Sequence, residues 1–124
     1  MGMYDELPVY KAGYDLFLEI FRFVRNFSRE YKYTVGDSLK KEMMELMMLI
    51  YRANSLREKT DIIRQAREKV EVIRLLVRLM KDLREISLSV FVQVSEKIEF
   101  VSRQLTGWQK SVGRSGDIRG GNVL

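Results

Sequence analysis

Apolar residues recur three and four positions apart in four stretches of this chain, the spacing of one face of an α-helix. In the first, from Val9 to about Phe27, they are Ala12, Phe17, Ile20, Phe21, Val24 and Phe27. In the second, Leu39, Met43, Leu46, Met47 and Ile50 fill one face, with Met44, Met48 and Tyr51 beside it. The third runs through KTDIIRQAREKVEVIRLLVRLMKDLRE, Lys59 to Glu85, without a glycine or proline. In the fourth, Phe91, Val94, Ile98, Val101, Leu105 and Trp108 form a long amphipathic stripe, with Trp108 expected to anchor its end in the core. The pattern predicts helices at about 8–28, 35–54, 57–86 and 88–110. Four such helices on short connections give an all-α, antiparallel up-down-up-down four-helix bundle.

The punctuation agrees with this division. Pro8 suits a first helical turn, where its missing N–H has no intrahelical partner. Residues 28–33 read as a polar and aromatic connector, after which Thr34 or Asp37 can cap the second helix. Asn54 can close that helix in a left-handed conformation, and Ser87 or Ser89 can cap the fourth. Gly13 and Gly107 weaken their helices without ending them. Residues 1–110 are thus one domain, and the glycine-rich 111–124 reads as a flexible basic tail carrying Arg114 and Arg119.

The third stretch organises the rest. At about 100° per residue, Arg67, Arg74, Arg78 and Lys81 fall in one narrow arc, with Arg64 at its shoulder. Ala66, Val70, Ile73, Val77 and Met80 form an apolar face beside it; Val72, Leu76, Leu79 and Leu83 form a second. One apolar stripe suffices for a surface helix of a lone domain, so the second implies a further partner. The cationic arc spans about 25 Å along the helix, and arginine forks suit phosphate oxygens. The competing reading is that these side chains pair with Glu68, Glu71, Asp82 or carboxylates of neighbouring helices, Glu71 lying within the arc itself. The second stretch is open in the same way: its methionines read as core filler or as a pliable groove, and spacing favours core. Glu42 and Glu45, next to Lys40 and Lys41, read as a solvated surface.

Composition narrows the chemistry. The 124 residues suit one domain, and 46% hydrophobic with 31% charged residues is a globular balance. A net charge of +5 permits nucleic acid or an anionic membrane as a partner without requiring either. There is no cysteine and no histidine, which excludes thiolate chemistry and removes the commonest general base and metal ligand. No phosphate-binding glycine motif is present, and Glu-x-x-His pairs for a di-iron bundle cannot exist. The expectation is a non-enzyme with no catalytic residues, no metal and no cofactor. No apolar run reaches a membrane span and no secretion-signal core is visible, so a cytoplasmic protein is expected.

The runs LPVYKAGYDLFLEIFRFVRNF, YTVGDSLKKEMMELMMLIYRAN, IRLLVRLMKDL and SRQLTGWQKS resemble the Avd-type four-helix-bundle proteins, the accessory variability determinants of diversity-generating retroelements. Those are related to bundle proteins encoded in intervening sequences of bacterial ribosomal RNA genes. The closing Leu105–Lys110 segment and the Arg74/Arg78 pair are similar to the retroelement branch, with Thr106 where that branch usually has a first glycine. The resemblance implies a homopentameric assembly that binds nucleic acid through a basic surface and associates with the retroelement reverse transcriptase. Its nucleic-acid partners would be the template-repeat RNA and the complementary DNA. The binding role is mapped onto Arg64, Arg67, Arg74, Arg78, Lys81 and Arg84, with Lys110 and Arg114 as weaker additions; Arg78 has a structural reading as well. The alternative is a structural or protein-interaction bundle of the intervening-sequence type. Membrane-surface binding is disfavoured because the apolar faces of the third helix look committed to packing.

Overall fold

A computed structural model describes the backbone of residues 7–123 and the side chains of residues 7–113. Pro8 sits at the start of α1, which spans Pro8–Val24, and Leu7 precedes it in extended conformation. The one-turn α2 is Arg29–Lys32, α3 is Val35–Ser55, α4 is Thr60–Asp82 and α5 is Leu88–Val123. No strand occurs among the described residues.

Cross-helix contacts fix the topology. Gly13 lies against Met47 and Ile50, and Lys40 lies over the Phe21 ring, so α1 and α3 run antiparallel. Lys97 pairs with Asp15 and Glu19 while Pro8 and Val9 line a groove with Gly107 and Trp108; Arg74 meets Glu99 and Lys81 covers Phe91. Residue numbers thus fall on one helix as they rise on its neighbour, for α1 with α5 and for α4 with α5. Lys69 bridges α4 to Glu42 and Glu45 of α3. The four long helices form a square in the order α1, α3, α4, α5, with α1 opposite α4. That is the four-helix bundle expected from the apolar spacing.

The core follows the stripes with one shift. On α1 the buried line is Val9, Gly13, Leu16, Ile20, Phe23 and Val24, continued by Phe27 beyond the helix. Ala12 and Phe17, expected inside, are only partly buried and pack against the core from outside. Leu39, Met43, Leu46 and Ile50 of α3 form one cluster with Val70, Ile73, Val77 and Met80 of α4 and with Val94, Ile98, Val101 and Leu105 of α5. Each such side chain contributes roughly 1.5–3 kcal/mol on burial. No buried side chain among the described residues is polar or charged. The methionines divide: Met43 and Met47 are in the core, whereas Met44 and Met48 are half exposed. Trp108 is partly buried at the core's edge.

The helix ends differ more from expectation. α1 stops at Val24 rather than near residue 28, and the connector contains α2, closed on the Ser28 carbonyl by the amides of Tyr31 and Lys32. The Ser28 amide is held by the Glu85 carboxylate from the far end of α4, at 2.5 Å. Thr34 precedes α3 but does not cap it, because its hydroxyl donates back to the Glu30 carbonyl at 3.1 Å. Asn54 is helical; the left-handed residue is Arg84, φ 63°, after α4. There the Glu85 amide donates to Met80 at 2.8 Å and the Arg84 amide to Lys81 at 3.0 Å, which is the Schellman pattern. The end of α3 is instead held by Lys59, whose ammonium donates to the Ala53 carbonyl at 2.7 Å. Ser87 caps α5 as expected, accepting from the Val90 amide at 3.1 Å. The α5 backbone continues helically past Lys110 through 111–123, the segment expected to form the tail; its side chains from 114 onward lie outside the described residues.

Candidate nucleic-acid interface

The cationic arc of α4 lies along the groove between α4 and α5. Arg64, Arg67, Glu68, Glu71, Arg74 and Glu99 line a depression of about 500 Å³ there. Periodicity places the arginines correctly on one side of the helix, but the side chains around them are largely acidic. Arg64 pairs with Asp61 and with Glu68, the latter at 3.1 Å. Its guanidinium holds the Asp61 carboxyl below the ordinary carboxylate range by donating a hydrogen bond to it. Arg74 bridges Glu71 of its own helix and Glu99 of α5. Lys81 sits 3.2 Å from Asp82 and 4.8 Å from the centre of the Phe91 ring.

The remaining members are less committed. Arg67 donates to the neutral side chain of Gln109 and has no counterion in contact among the described residues. Arg78 reaches Asp82 only at 3.9 Å and stays 73% exposed at its side chain, so it faces solvent and not the packed face. Arg84 is exposed in the left-handed turn after α4. Lys110 is exposed on α5, and the Arg114 side chain lies outside the described residues. The structure therefore brings Arg64, Arg67 and Arg74 together beside one groove. It puts Arg78, Lys81 and Arg84 further along, near the α4 end.

Glu42 and Glu45 prove to be more than a solvated surface. Both accept from Lys69 across the α3–α4 seam, at 3.0 and 2.6 Å. The hydrogen bond from Lys69 lowers the Glu45 pKa, and the bond to Glu45 raises that of Lys69 despite partial burial. Lys97 does the same between α1 and α5, its pKa raised chiefly by a hydrogen bond to Glu19.

The second apolar face expected on α4 is largely present: Val72 and Leu79, with Leu83 just beyond the helix, are about 40% exposed, whereas Leu76 is partly buried against the core and Leu75, not singled out by spacing, is 65% exposed. One surface feature escaped sequence reasoning, and it is electrostatic. Arg22, Arg25, Lys32 and Lys40 converge on a groove of about 310 Å³ at the corner of α1, α2 and α3. Arg22 and Arg25 stand three apart at the end of α1, but Lys32 and Lys40 come from α2 and α3, so no single helical wheel gathers all four.

Among the described residues no helix is long and apolar enough to cross a membrane, and no group of acidic side chains is arranged to hold a metal ion. The sequence model of a family described as bAvd-like matches residues 9–112, nearly the whole bundle. The chain belongs to the bAvd-like family and is an Avd-type four-helix bundle. No curated protein matches the sequence.

Proposed function

We propose that this bAvd-like chain is a non-catalytic accessory subunit of a diversity-generating retroelement. It binds the element's reverse transcriptase together with template RNA and complementary DNA, and so supports mutagenic reverse transcription in the cytoplasm. The observation that carries the reading is the family match over residues 9–112. Two features of the surface agree with it. A net charge of +5 on a small bundle favours a polyanionic partner. The exposed Val72, Leu75, Leu79 and Leu83 stripe gives α4 an apolar face that copies of the chain can cover. A closed homopentameric ring would repeat the basic surface five times, raising affinity by avidity without a strong site on any one subunit.

In this reading the polymerase supplies the chemistry, and the bundle supplies a scaffold and a grip on nucleic acid. The seam along α4 also supports the second reading, a purely structural bundle of the intervening-sequence type, because several of its arginines already hold carboxylates. One experiment separates the two. RNA affinity of the purified protein is measured across a salt series, with particle mass and co-purification of the retroelement reverse transcriptase recorded in the same buffers. A steep negative slope of log affinity against log salt, on a particle of several subunits that retains the polymerase, is the expected result. Negligible RNA binding and no retained polymerase would refute the accessory role.

A further inference from the structure

Charge that is free to act on a ligand is charge without an internal partner, and by that measure the corner where α1 ends and α3 begins is strongly cationic among the described residues. Arg22, Arg25 and Arg29 make no ion pair or side-chain hydrogen bond among the described residues. Among the described residues Lys32 lies 5.9 Å from the centre of the Tyr33 ring, and Lys40 reaches Asp37 at a long 3.6 Å. The carboxylates nearby lie outside the groove lining: Glu85, which accepts from the neutral Ser28 amide and keeps its charge, and the exposed Glu30 and Asp37.

The groove between these cations has an apolar floor of Leu18 and Phe21, with the buried Val24 beneath. The Phe21 ring is held edge-on by Phe17, with centroids 5.0 Å apart, and Lys40 lies 5.6 Å from its centre. A flat apolar floor ringed by four cations matches one kind of body: a planar aromatic ring joined to phosphates. At about 310 Å³ the groove is the size of a single nucleotide. It is short for an acidic amphipathic helix, of which two turns measure about 10 Å across and 11 Å long.

The geometry points to a single-strand nucleic-acid site at the α1–α2–α3 corner. An unstacked base lies against Phe21 and Leu18, and the flanking phosphates contact Arg22, Arg25, Lys32 and Lys40. This rests on the nucleic-acid reading above and relocates its principal contact away from the α4 seam. It also gives that contact a preference, since a base within a duplex cannot reach the floor. The exposed Tyr33 offers a second ring for the next base beside Lys32.

The test uses the full chain with an unstructured 20-nucleotide RNA and a duplex of equal length across a salt series. Each phosphate contact on a single strand contributes roughly 0.7 to the salt slope, so Arg22→Ala/Arg25→Ala/Lys32→Ala lowers its magnitude by about 2. Affinity at moderate salt falls at least ~10-fold, while Arg67→Ala/Arg74→Ala has the smaller effect on both. Phe21→Leu, which keeps the floor apolar but removes the ring, weakens single-strand binding about fivefold with the slope unchanged. Wild-type affinity in both corner variants, with the parent protein still binding RNA, overturns the site and leaves the nucleic-acid reading standing. Equal affinity for duplex and single strand overturns the base-binding floor. A parent protein that binds no RNA at all overturns the reading on which the site rests.

Discussion

Two glycine-to-alanine substitutions, chemically identical, should move stability in opposite directions. At Gly107, in the middle of α5, an added Cβ meets no atom within 4 Å. The substitution then acts only on helix propensity, which favours Ala over Gly by about 1 kcal/mol. At Gly36, buried in the first turn of α3, an added Cβ would lie 2.8 Å from Val24 Cγ1 and 3.2 Å from the Tyr31 carbonyl oxygen. Val24 is 1% exposed and β-branched, so it has no free rotamer to retreat into, and the second obstacle is backbone. Overpacking of this kind costs roughly 1–3 kcal/mol. Gly13 is intermediate: its 2.8 Å neighbour is the thioether of Met47, which can yield, so the clash and the propensity gain nearly cancel.

Unfolding entropy of about 0.26 kcal/mol/K for 124 residues makes each kcal/mol worth about 4 °C. Thermal unfolding by circular dichroism, at one protein concentration and with particle mass recorded, should place Gly107→Ala about 4 °C above the parent. Gly36→Ala should fall about 4–12 °C below it, and Gly13→Ala within a degree or two. A Gly36→Ala protein as stable as the parent would mean that α3 does not start against the end of α1. A lower Tm for Gly107→Ala at unchanged mass would refute the open environment of that residue. If Tm and mass fell together, a second copy would occupy the space beside α5.

The other predictions concern helix ends and ion pairs. Lys59→Met removes the ammonium that satisfies the last carbonyls of α3 and should cost about 0.5–1 kcal/mol, read as a Tm lower by a few degrees. Arg84→Gly relieves a left-handed conformation that disfavours side chains by about 1–2 kcal/mol, set against the greater chain entropy of glycine, so it should raise Tm slightly where Arg84→Ala does not. Glu45 and Asp61 have pKa values lowered from 4.5 and 3.8 by hydrogen bonds from Lys69 and Arg64, so their contribution is present above those values and lost as pH falls through the folded-state values. Tm should therefore be flat down to about pH 5 and drop below it, with a shallower drop in Glu45→Gln. Lys69 has its pKa raised above 10.5, so its contribution persists below that and disappears as pH climbs past the folded-state value.

The fold was legible because burial is periodic. Leu39, Met43, Leu46 and Ile50, or Val94, Ile98, Val101 and Leu105, declare their helix and its inner face without reference to anything outside the segment. Ser87 was legible for the same reason, since a cap acts on its own helix. What stayed hidden depends on distant residues. α1 ends early and α2 forms where Glu85, 57 residues away, takes the Ser28 amide. Arg84 adopts a conformation its side chain does not favour, because the chain must reverse there to bury Ile86. Asn54, the better local candidate, is left inside α3 because Lys59 already serves that helix end.

Surface charge is harder still, because the field a ligand meets is set by what neighbouring helices place beside each cation. A wheel drawn for α4 gathers Arg64, Arg67 and Arg74 into one arc but contains no information about Glu99, which arrives from α5. An RNA strand approaching that arc must displace Asp61, Glu68, Glu71 and Glu99 from their arginines, and each exchange returns much of what the new contact gains. At the corner of α1, α2 and α3, Arg22, Arg25 and Arg29 have no such partner to lose among the described residues. Their contact with phosphate replaces only water and mobile counterions, whose release is the usual source of affinity for nucleic acid. Equal numbers of arginines on the two surfaces would thus bind unequally, with the order set by internal carboxylates.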